Sequence, residues 1–567
     1  MTPAGLAEPR PRRSRGFIVA CVLVAVAWSV IGFVVVSPDA LYSGDLGVNY
    51  VQTRSLIKQQ FRSMSLVYPG AVIDPSGRFF PFRPPFILTT AVDVQGIYPP
   101  IIALSQAPFV QIGGLSGVVA LSLLSGVVVL WMAARIGNVR SEWALPVVLG
   151  LGTCLWFYAI EPWEHAPAAA LDIAAMAMAF DRRPGRALLA GLLLGMGTSL
   201  RNESILLVPG LLLAVWSARR RVSSLLIALA GLGSVLVAVG ALDALVYHRL
   251  PGAHALHAVS FLRGALRATG RMTQEVPTLQ RMSLSERYDI VVHYWLISNV
   301  SKTMVVLFLA ATAVAAALLR WAHSALGILL IALVVLGWSV YGFWQLVPEP
   351  RWVAGLFRLS PFLVFALFPA PGLSPVAQRT RRICLATSLI VLVSAIITAD
   401  TAGGKSLGPR HLLAIVPLLT IAAWQGIMAY YDTGRDSPVH RLIAWSGFGL
   451  VTVSVALQLA CMVPPYARQN RGDHKAMQAI RRSQEQVLVA DDLVAAQLAM
   501  PLYFKKVIVL ADSPREARDL GALLERAHVP AVMLISRSRH PGSISLTPYQ
   551  LSGSESYGRL IVEHWRR

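Results

Sequence analysis

Apolar residues fill this chain in long runs, separated by short turns rich in arginine, glycine and proline. Runs of this kind predict membrane-crossing helices, because about 20 apolar residues span the hydrocarbon core of a bilayer. The runs cover approximately 17–36, 112–134, 143–160, 165–180, 187–200, 204–218, 223–246, 303–319, 324–346, 352–370, 383–399, 411–430 and 441–463. They predict about 13 crossings, several of them short. Pro99 to Val110 is a further apolar piece, read as an interfacial or re-entrant lead-in to the second span. After position 463 the pattern changes. Val487 to Ala490, Val507 to Leu510 and Ala531 to Ile535 read as strands. Ser513-Pro-Arg-Glu516 is a capping box with proline at the first helical position, opening a helix that runs to about His528. The expected fold class is an all-α polytopic membrane protein over residues 1–463, with a small C-terminal α/β soluble domain over 464–567.

Charge fixes the expected orientation. Charged residues make up 14% of the chain, against about 25% in an ordinary soluble protein. The net charge is +21. The short connections that would lie inside hold Arg135 and Arg140; Arg182, Arg183 and Arg186; Arg219 to Arg221; Arg320; Arg379, Arg381 and Arg382; and Arg435 and Arg441. Basic residues on alternate connections place the N-terminus inside and the C-terminal domain outside the cytoplasm. The positive excess thus serves topology and anionic lipid, and no nucleic-acid partner is expected. Arg10, Arg12, Arg13 and Arg15 precede the run Phe17–Val36, which lacks a cleavage site and reads as a retained first span. Cys21, Cys154, Cys384 and Cys461 lie in or at the ends of apolar runs and form no CxxC pair. This pattern excludes a soluble enzyme, a disordered chain, a disulfide scaffold and a transmembrane β-barrel. Few acids among many alanines and arginines suit a bacterial inner membrane.

Candidate chemistry gathers at one end of the spans. Asp45, Glu164, His165, Arg201, Glu203, Arg351, Lys405, Arg410 and His411 all fall on the outer face, whereas the inner face carries little but arginine. Ionisable groups at a membrane are costly and point to a site. Asp45 follows the first span. A stretch after it sets Val48, Val51, Leu56, Ile57 and Phe61 against Arg54, Lys58 and Arg62, and reads as a helix lying on the membrane surface. Asp45 there could take a proton from a hydroxyl or merely cap the helix. Glu164 and His165 open the fourth span. They suit sugar hydroxyls, or equally a solvated helix start. No further ligands stand at usable spacing, so no cofactor is expected, and a divalent metal is open but not indicated. Arg201, Asn202 and Glu203 could orient a substrate or form an ion-paired helix entry. Two long outer segments, 37–98 and 247–302, complete this face. In the second, Leu256 to Arg267 reads as an amphipathic lid, and basic and aromatic residues, Trp295 among them, suit lipid phosphate and sugar stacking, or anionic headgroups. The C-terminal domain has no Gly-rich phosphate loop.

A first span, an outer Asp, an interfacial helix, a long loop and Tyr98-Pro-Pro100 before the next span together resemble the GT-C glycosyltransferases. The resemblance is to the class that uses polyprenyl-phosphate sugars, such as protein mannosyltransferases and aminoarabinose transferases. Leu200-Arg-Asn-Glu-Ser204 and Gly408-Pro-Arg-His-Leu412, each opening a span, are similar to motifs of bacterial members. The likeness covers most of 17–463. It implies a glycosyltransferase, hexosyl or pentosyl, working at the outer face. It makes Asp45 the general base, with Lys405, Arg410 and His411 binding the donor phosphate. Glu164, His165, Arg201, Asn202 and Glu203 would bind substrate. The implied partners are a polyprenyl-phosphate sugar donor, a glycan, lipid or protein acceptor, and membrane lipid. The family often pairs a second acid with the loop Asp; Asp39, Asp74 and Asp93 share the loop here, and none matches. Two other classes stay open: a transporter or flippase of lipid-linked saccharides, for which Asp172 and Asp243 are the mid-span charges, and a polymerase or ligase using a lipid-diphosphate donor.

Overall fold

A computed structural model describes residues 15–84, 86–89, 93–137, 143–247, 283–297, 310, 314, 355–399, 407–435, 437–537 and 544–567. Among them, six helical runs are long and apolar enough to cross a membrane: Arg15–Val35, Pro100–Gly137, Val222–Val246, Pro375–Thr398, Arg410–Thr433 and Pro438–Arg482. His165–Ala179 and Arg186–Leu200 are shorter apolar helices. The expected spans 303–319 and 324–346 lie outside the described residues apart from Ala310 and Val314.

The helices needed below are α1 (Arg15–Val30), α2 (Gly44–Lys58), α3 (Pro100–Gly137), α4 (Ala144–Gly152), α5 (Leu155–Ile160), α6 (His165–Ala179), α7 (Arg186–Leu200), α8 (Val208–Arg219) and α9 (Val222–Tyr247). They are followed by α10 (Pro375–Thr398), α11 (Val416–Thr433), α12 (Pro438–Ala456) and α13 (Val463–Arg482). The apolar lead-in forms the first part of α3, a helical piece set off from the second span by a break at Gly114, where the backbone is not helical and φ is +58°. Two expectations need correction. The run 143–160 is two helices, parted at Thr153, whose backbone is extended and whose hydroxyl bonds the Leu149 carbonyl at 2.6 Å. The described part of 352–370 is two short turns, Leu356–Leu359 and Pro361–Ala366, divided at Ser360. Proline at 361 cannot donate to the preceding turn, and Ser360 instead bonds the Gly152 carbonyl at 2.8 Å.

The arginines at the far end from the candidate residues close helix ends and turns. A helix leaves its last carbonyls without partners. Arg219 donates to Ala179 O at 3.0 Å at the end of α6, and Arg379 donates to Ser217 O near the end of α8. Arg381 is buried and donates to the carbonyls of Ala366, Phe368 and Ala422. Each guanidinium closes a helix end or a turn and suits the negative pole of the helix dipole.

The last apolar run ends near 463, but the helix does not. From α12, helix continues through Leu457–Met462 into α13, whose charged surface ends at Arg482. The C-terminal sheet has strands β3 (Val487–Ala490), β4 (Val507–Leu510), β5 (Ala531–Arg537), β6 (Gln550–Tyr557) and β7 (Leu560–Arg566) in the order β4-β3-β5-β7-β6. The first three are parallel and the last two pair antiparallel. Helices α14 (Leu493–Leu498) and α15 (Pro514–Arg526) make the crossovers. At α15 the Ser513 hydroxyl accepts from Glu516 N at 3.3 Å, while Glu516 reaches back to Asp512 N rather than to Ser513 N. A two-stranded ribbon, β1 (Ile87–Thr89) with β2 (Val94–Gly96), closes the long loop after α2.

Candidate active site

Helix α2 carries the site's first acid. Much of it is buried against the rest of the protein. Asn49, Gln52, Thr53 and Ser55 are buried along with Leu46, Val48, Val51 and Leu56. The polar members stay inside because each finds a partner. Gln52 donates to Tyr98 O at 2.8 Å, Thr53 donates to Asn49 O at 2.9 Å, and Ser55 Oγ accepts from Val67 N at 3.1 Å. Helix α3 covers one side and the C-terminal domain another. Ser43 is the N-cap and makes no side-chain cap bond. Asp45, in the first turn, does not close the helix end: its Oδ2 accepts from Arg410 Nη1 at 2.9 Å.

That ion pair is one link in a closed ring. Arg410 Nε donates to His411 Nε2 at 3.3 Å. His411 Nδ1 bonds Glu203 Oε1, which also accepts from Arg201 Nη2 at 2.6 Å. Arg201 Nη1 donates to Glu164 Oε1 at 3.1 Å, and Glu164 Oε2 accepts from Asn49 Nδ2 at 3.1 Å. Asn49 lies one turn beyond Asp45 on α2, so the circuit returns to its start. Because Arg410 can only donate, this network assigns His411 the Nδ1–H tautomer, with Nε2 accepting.

Local breaks in the helices aim these side chains. Helix α7 ends where Arg201 becomes extended (φ −142°), and the 3-10 turn Asn202–Leu207 then leads into α8. Ser204 in that turn bonds Asp172 Oδ2 at 2.8 Å and fixes the turn to α6. Arg410 and His411 follow Gly408-Pro409. Gly408 has φ +73°, and a Cβ there would lie 3.0 Å from Cys154 Cβ, so this bend requires glycine. Tyr158 O–H donates to Gly408 O at 3.3 Å.

Aromatic rings wall the ring of charges. The Arg410 guanidinium lies 5.5 Å from the Trp163 ring centre, and Trp295 stacks on His411 at 4.8 Å. His165 is buried, stacked on Tyr158 at 5.4 Å and set against Trp163 at 4.4 Å. Neither of its ring nitrogens has a hydrogen-bond partner among the described residues; Nδ1 stands 3.7 Å from Glu164 Oε1. The electrostatics separate the acids. Burial raises the Glu164 carboxyl against the pull of Arg201. Burial would raise Glu203 too, but Arg201 and His411 together outweigh it and hold that carboxyl well below the usual range. Burial, with Asp45 and Glu164 nearby, pushes the Tyr98 phenol well above its ordinary value.

Asp45, Glu164, Arg201, Glu203, Arg410 and His411 therefore meet in one ring, and His165 adjoins it. Asn202 shares the turn with Glu203 and makes no side-chain hydrogen bond among the described residues. Lys405, Arg351 and the expected lid Leu256 to Arg267 lie outside the described residues. The other loop acids are engaged elsewhere: Asp39 with Arg481 at 2.8 Å, Asp74 with Phe79 N at 2.7 Å, and Asp93 with Ser65. No group of three or more His, Cys, Asp or Glu able to hold a metal occurs among the described residues. Sequence reasoning missed Asn49 and Trp163. The one available signal was Asn49 at four residues from Asp45, the spacing that puts both on one helical face.

Behind Glu164, a second buried acid predicts a pH effect. Glu161 accepts from the Tyr466 phenol, and burial pushes it up to about 8 from 4.5, against the downward pull of Tyr466 and Arg559. The folded protein thus holds a proton that the unfolded chain releases near pH 4.5. This contribution to stability is complete below that pH and is lost as pH rises through about 8. Glu161→Gln keeps an acceptor for Tyr466 and cannot ionise. Its melting temperature should match wild type at pH 5 and exceed it at pH 8. A difference that stays constant over that range contradicts a protonated Glu161.

No family model and no curated protein sequence matches this chain. Solved structures do. The crystal structure of ArnT from Cupriavidus metallidurans bound to undecaprenyl phosphate matches with a TM-score of 0.50 at 11% identity, over 97% of this chain and 98% of that one. The apo state of ArnT matches with a TM-score of 0.46 at 12% identity, over 97% and 98%. The oligosaccharyltransferase of Archaeoglobus fulgidus, tethered to an acceptor peptide containing the NVT sequon, matches with a TM-score of 0.42 at 9% identity, over 91% of this chain and 68% of that one. At such identities the likeness is one of fold: along nearly its whole length this chain is similar in fold to ArnT from Cupriavidus metallidurans.

Proposed function

We propose that this protein is an inverting glycosyltransferase of the bacterial inner membrane. It moves a hexose or pentose from a polyprenyl-phosphate donor to a hydroxyl of a cell-envelope glycan, glycolipid or protein. In this reading about 13 helices cross the bilayer, and the charge ring and the C-terminal domain face away from the cytoplasm. The single observation that carries the proposal is the Asp45–Arg410 contact of 2.9 Å across 365 residues of sequence. It joins an acid fit to be a base with a cation fit to hold phosphate. The undecaprenyl phosphate bound to ArnT, a protein of the same fold, supports the choice of donor.

The chemistry needs both partners, but not while they hold each other. Arg410 spends Nη1 on Asp45 and Nε on His411, leaving Nη2 without a partner among the described residues. A donor phosphate binds first at that nitrogen. It then draws Nη1 away, because a phosphate takes a guanidinium's paired donors. Asp45 is left facing the gap into which the sugar and acceptor fit. Its carboxylate takes the acceptor proton as the hydroxyl oxygen attacks the anomeric carbon. The bond from that carbon to the phosphate oxygen breaks, and the electron pair leaves with the phosphate. Arg410 stabilises the charge that builds there. One displacement with one base inverts the anomeric centre. Arg201, Glu203 and Glu164 hold the ring's far side, and Trp163 and Trp295 back Arg410 and His411.

Vesicles reconstituted with the protein, a polyprenyl-phosphate sugar and acceptor lipid test this reading. One polyprenyl phosphate should be released for each new glycosidic bond, with the anomeric configuration inverted. Lipid movement without bond formation points to a flippase, and released polyprenyl diphosphate from a diphosphate donor points to a polymerase or ligase. Either result overturns the proposal.

A further inference from the structure

The helix that carries Asp45 is gripped by the C-terminal domain. Gly44 and Gly47 lie one turn apart on α2. At 100° per residue their face sits about 150° around the helix from the face of Asp45 and Asn49. This glycine face meets the end of α14 and the turn after it, leaving no room for side chains. A Cβ at Gly44 would lie 1.8 Å from Gln497 Oε1 and 3.1 Å from Gln497 Cβ. A Cβ at Gly47 would lie 2.3 Å from the Gln497 backbone oxygen and 2.9 Å from Met500 Cγ.

Two more holds act on the same segment. Arg559, at the β6–β7 turn, pairs with Asp473 at 2.7 Å and donates to the carbonyls of Leu41 at 3.0 Å and Tyr42 at 3.3 Å. This fixes the chain just before α2. At the far end, Lys58 Nζ lies 4.6 Å from the Phe504 ring centre. The helix is held at its entry, along one face and at its exit, all from one domain.

We propose that the C-terminal α/β domain is the positioning scaffold of the reaction, setting Asp45 against Arg410 through the glycine face of α2. This inference rests on the sugar-transfer reading. Gly44, Gly47, Gln497 and Arg559 are positioning residues, and none belongs to the charge ring. Geometry sets the size of the effect: moving a reacting group by about 1 Å can cost about 100-fold in rate.

The two glycines make separable predictions. The two atoms nearest a Gly44 Cβ are the end of a flexible side chain, so Gln497→Ala removes both and leaves only the Gln497 Cβ contact of 3.1 Å, which a shift of a few tenths of an ångström relieves. The atom nearest a Gly47 Cβ is backbone, and Gln497→Ala gives no relief. In the full-length protein, assayed with a polyprenyl-phosphate sugar, Gly44→Ala should lower kcat by about tenfold and leave the donor KM within about twofold. The double variant with Gln497→Ala should return to within about threefold of Gln497→Ala alone. Gly47→Ala should lower kcat by about 100-fold and stay low in the Gln497→Ala background. If Gly47→Ala does not accumulate as folded protein, the Gly44–Gln497 pair decides alone. Wild-type rates in Gly44→Ala, or a loss that Gln497→Ala does not rescue, overturn the scaffold and leave the chemistry standing. A wild-type protein that transfers no sugar overturns the chemistry and the scaffold with it.

Discussion

Asp45→Asn is expected to lower kcat for sugar transfer by about 10²–10⁴-fold, the contribution of a well-placed general base. The change is nearly isosteric, and the amide oxygen still accepts from Arg410 Nη1, where Asp45 Oδ2 accepts at 2.9 Å. The ring keeps its shape, and the variant should melt near the wild-type temperature. One property should move the other way. In the wild-type protein, incoming phosphate must compete with a carboxylate for Arg410. In Asp45→Asn it competes only with a neutral amide, so polyprenyl phosphate should bind more tightly while turnover collapses. Turnover and equilibrium binding on one preparation check both directions. Full activity removes Asp45 from the mechanism, and weakened binding together with lost turnover points to a disturbed fold.

Arg410→Ala carries the second large effect. Removing a charged group that stabilises a developing anion costs about 10²–10³-fold in kcat, and the donor KM should rise with it because the same guanidinium binds the ground-state phosphate. Arg410→Lys separates charge from shape. An ammonium cannot reproduce the two directions in which Arg410 reaches Asp45 and His411. It should recover part of the binding and little of the turnover. Steady-state kinetics of both variants on one donor check this; an Arg410→Ala enzyme with unchanged kcat contradicts a leaving-group role.

What could be read from the sequence follows from distance along the chain. Polar residues at the ends of apolar runs single out Asp45, Glu164, Arg201, Glu203, Arg410 and His411, because the membrane penalises idle charge there. Which of them touch is set by helix packing, and no local pattern encodes a contact between positions 45 and 410. Helix α2 shows the same limit. Its alternation of apolar and basic residues reads as a surface helix, yet the domain from 464 onward buries much of it. Strands β3 and β4, and β5 over 531–535, are legible because they are mostly buried on both faces and these runs are purely apolar. The β6–β7 hairpin is not. Gln550–Tyr557 lies at the sheet edge with mostly exposed side chains, so its sequence carries no apolar period. The break at Thr153 is hidden in the same way, since Gly150 to Gly152 can continue a helix as readily as end one.

The Asp45–Arg410 pair as the seat of transfer is tested most directly by a structure of the protein with polyprenyl phosphate bound. The phosphate should lie within about 3 Å of Arg410 nitrogens, with the contact to Asp45 opened and a sugar-sized gap between them. Phosphate bound away from Arg410, with the 2.9 Å pair intact, would contradict it.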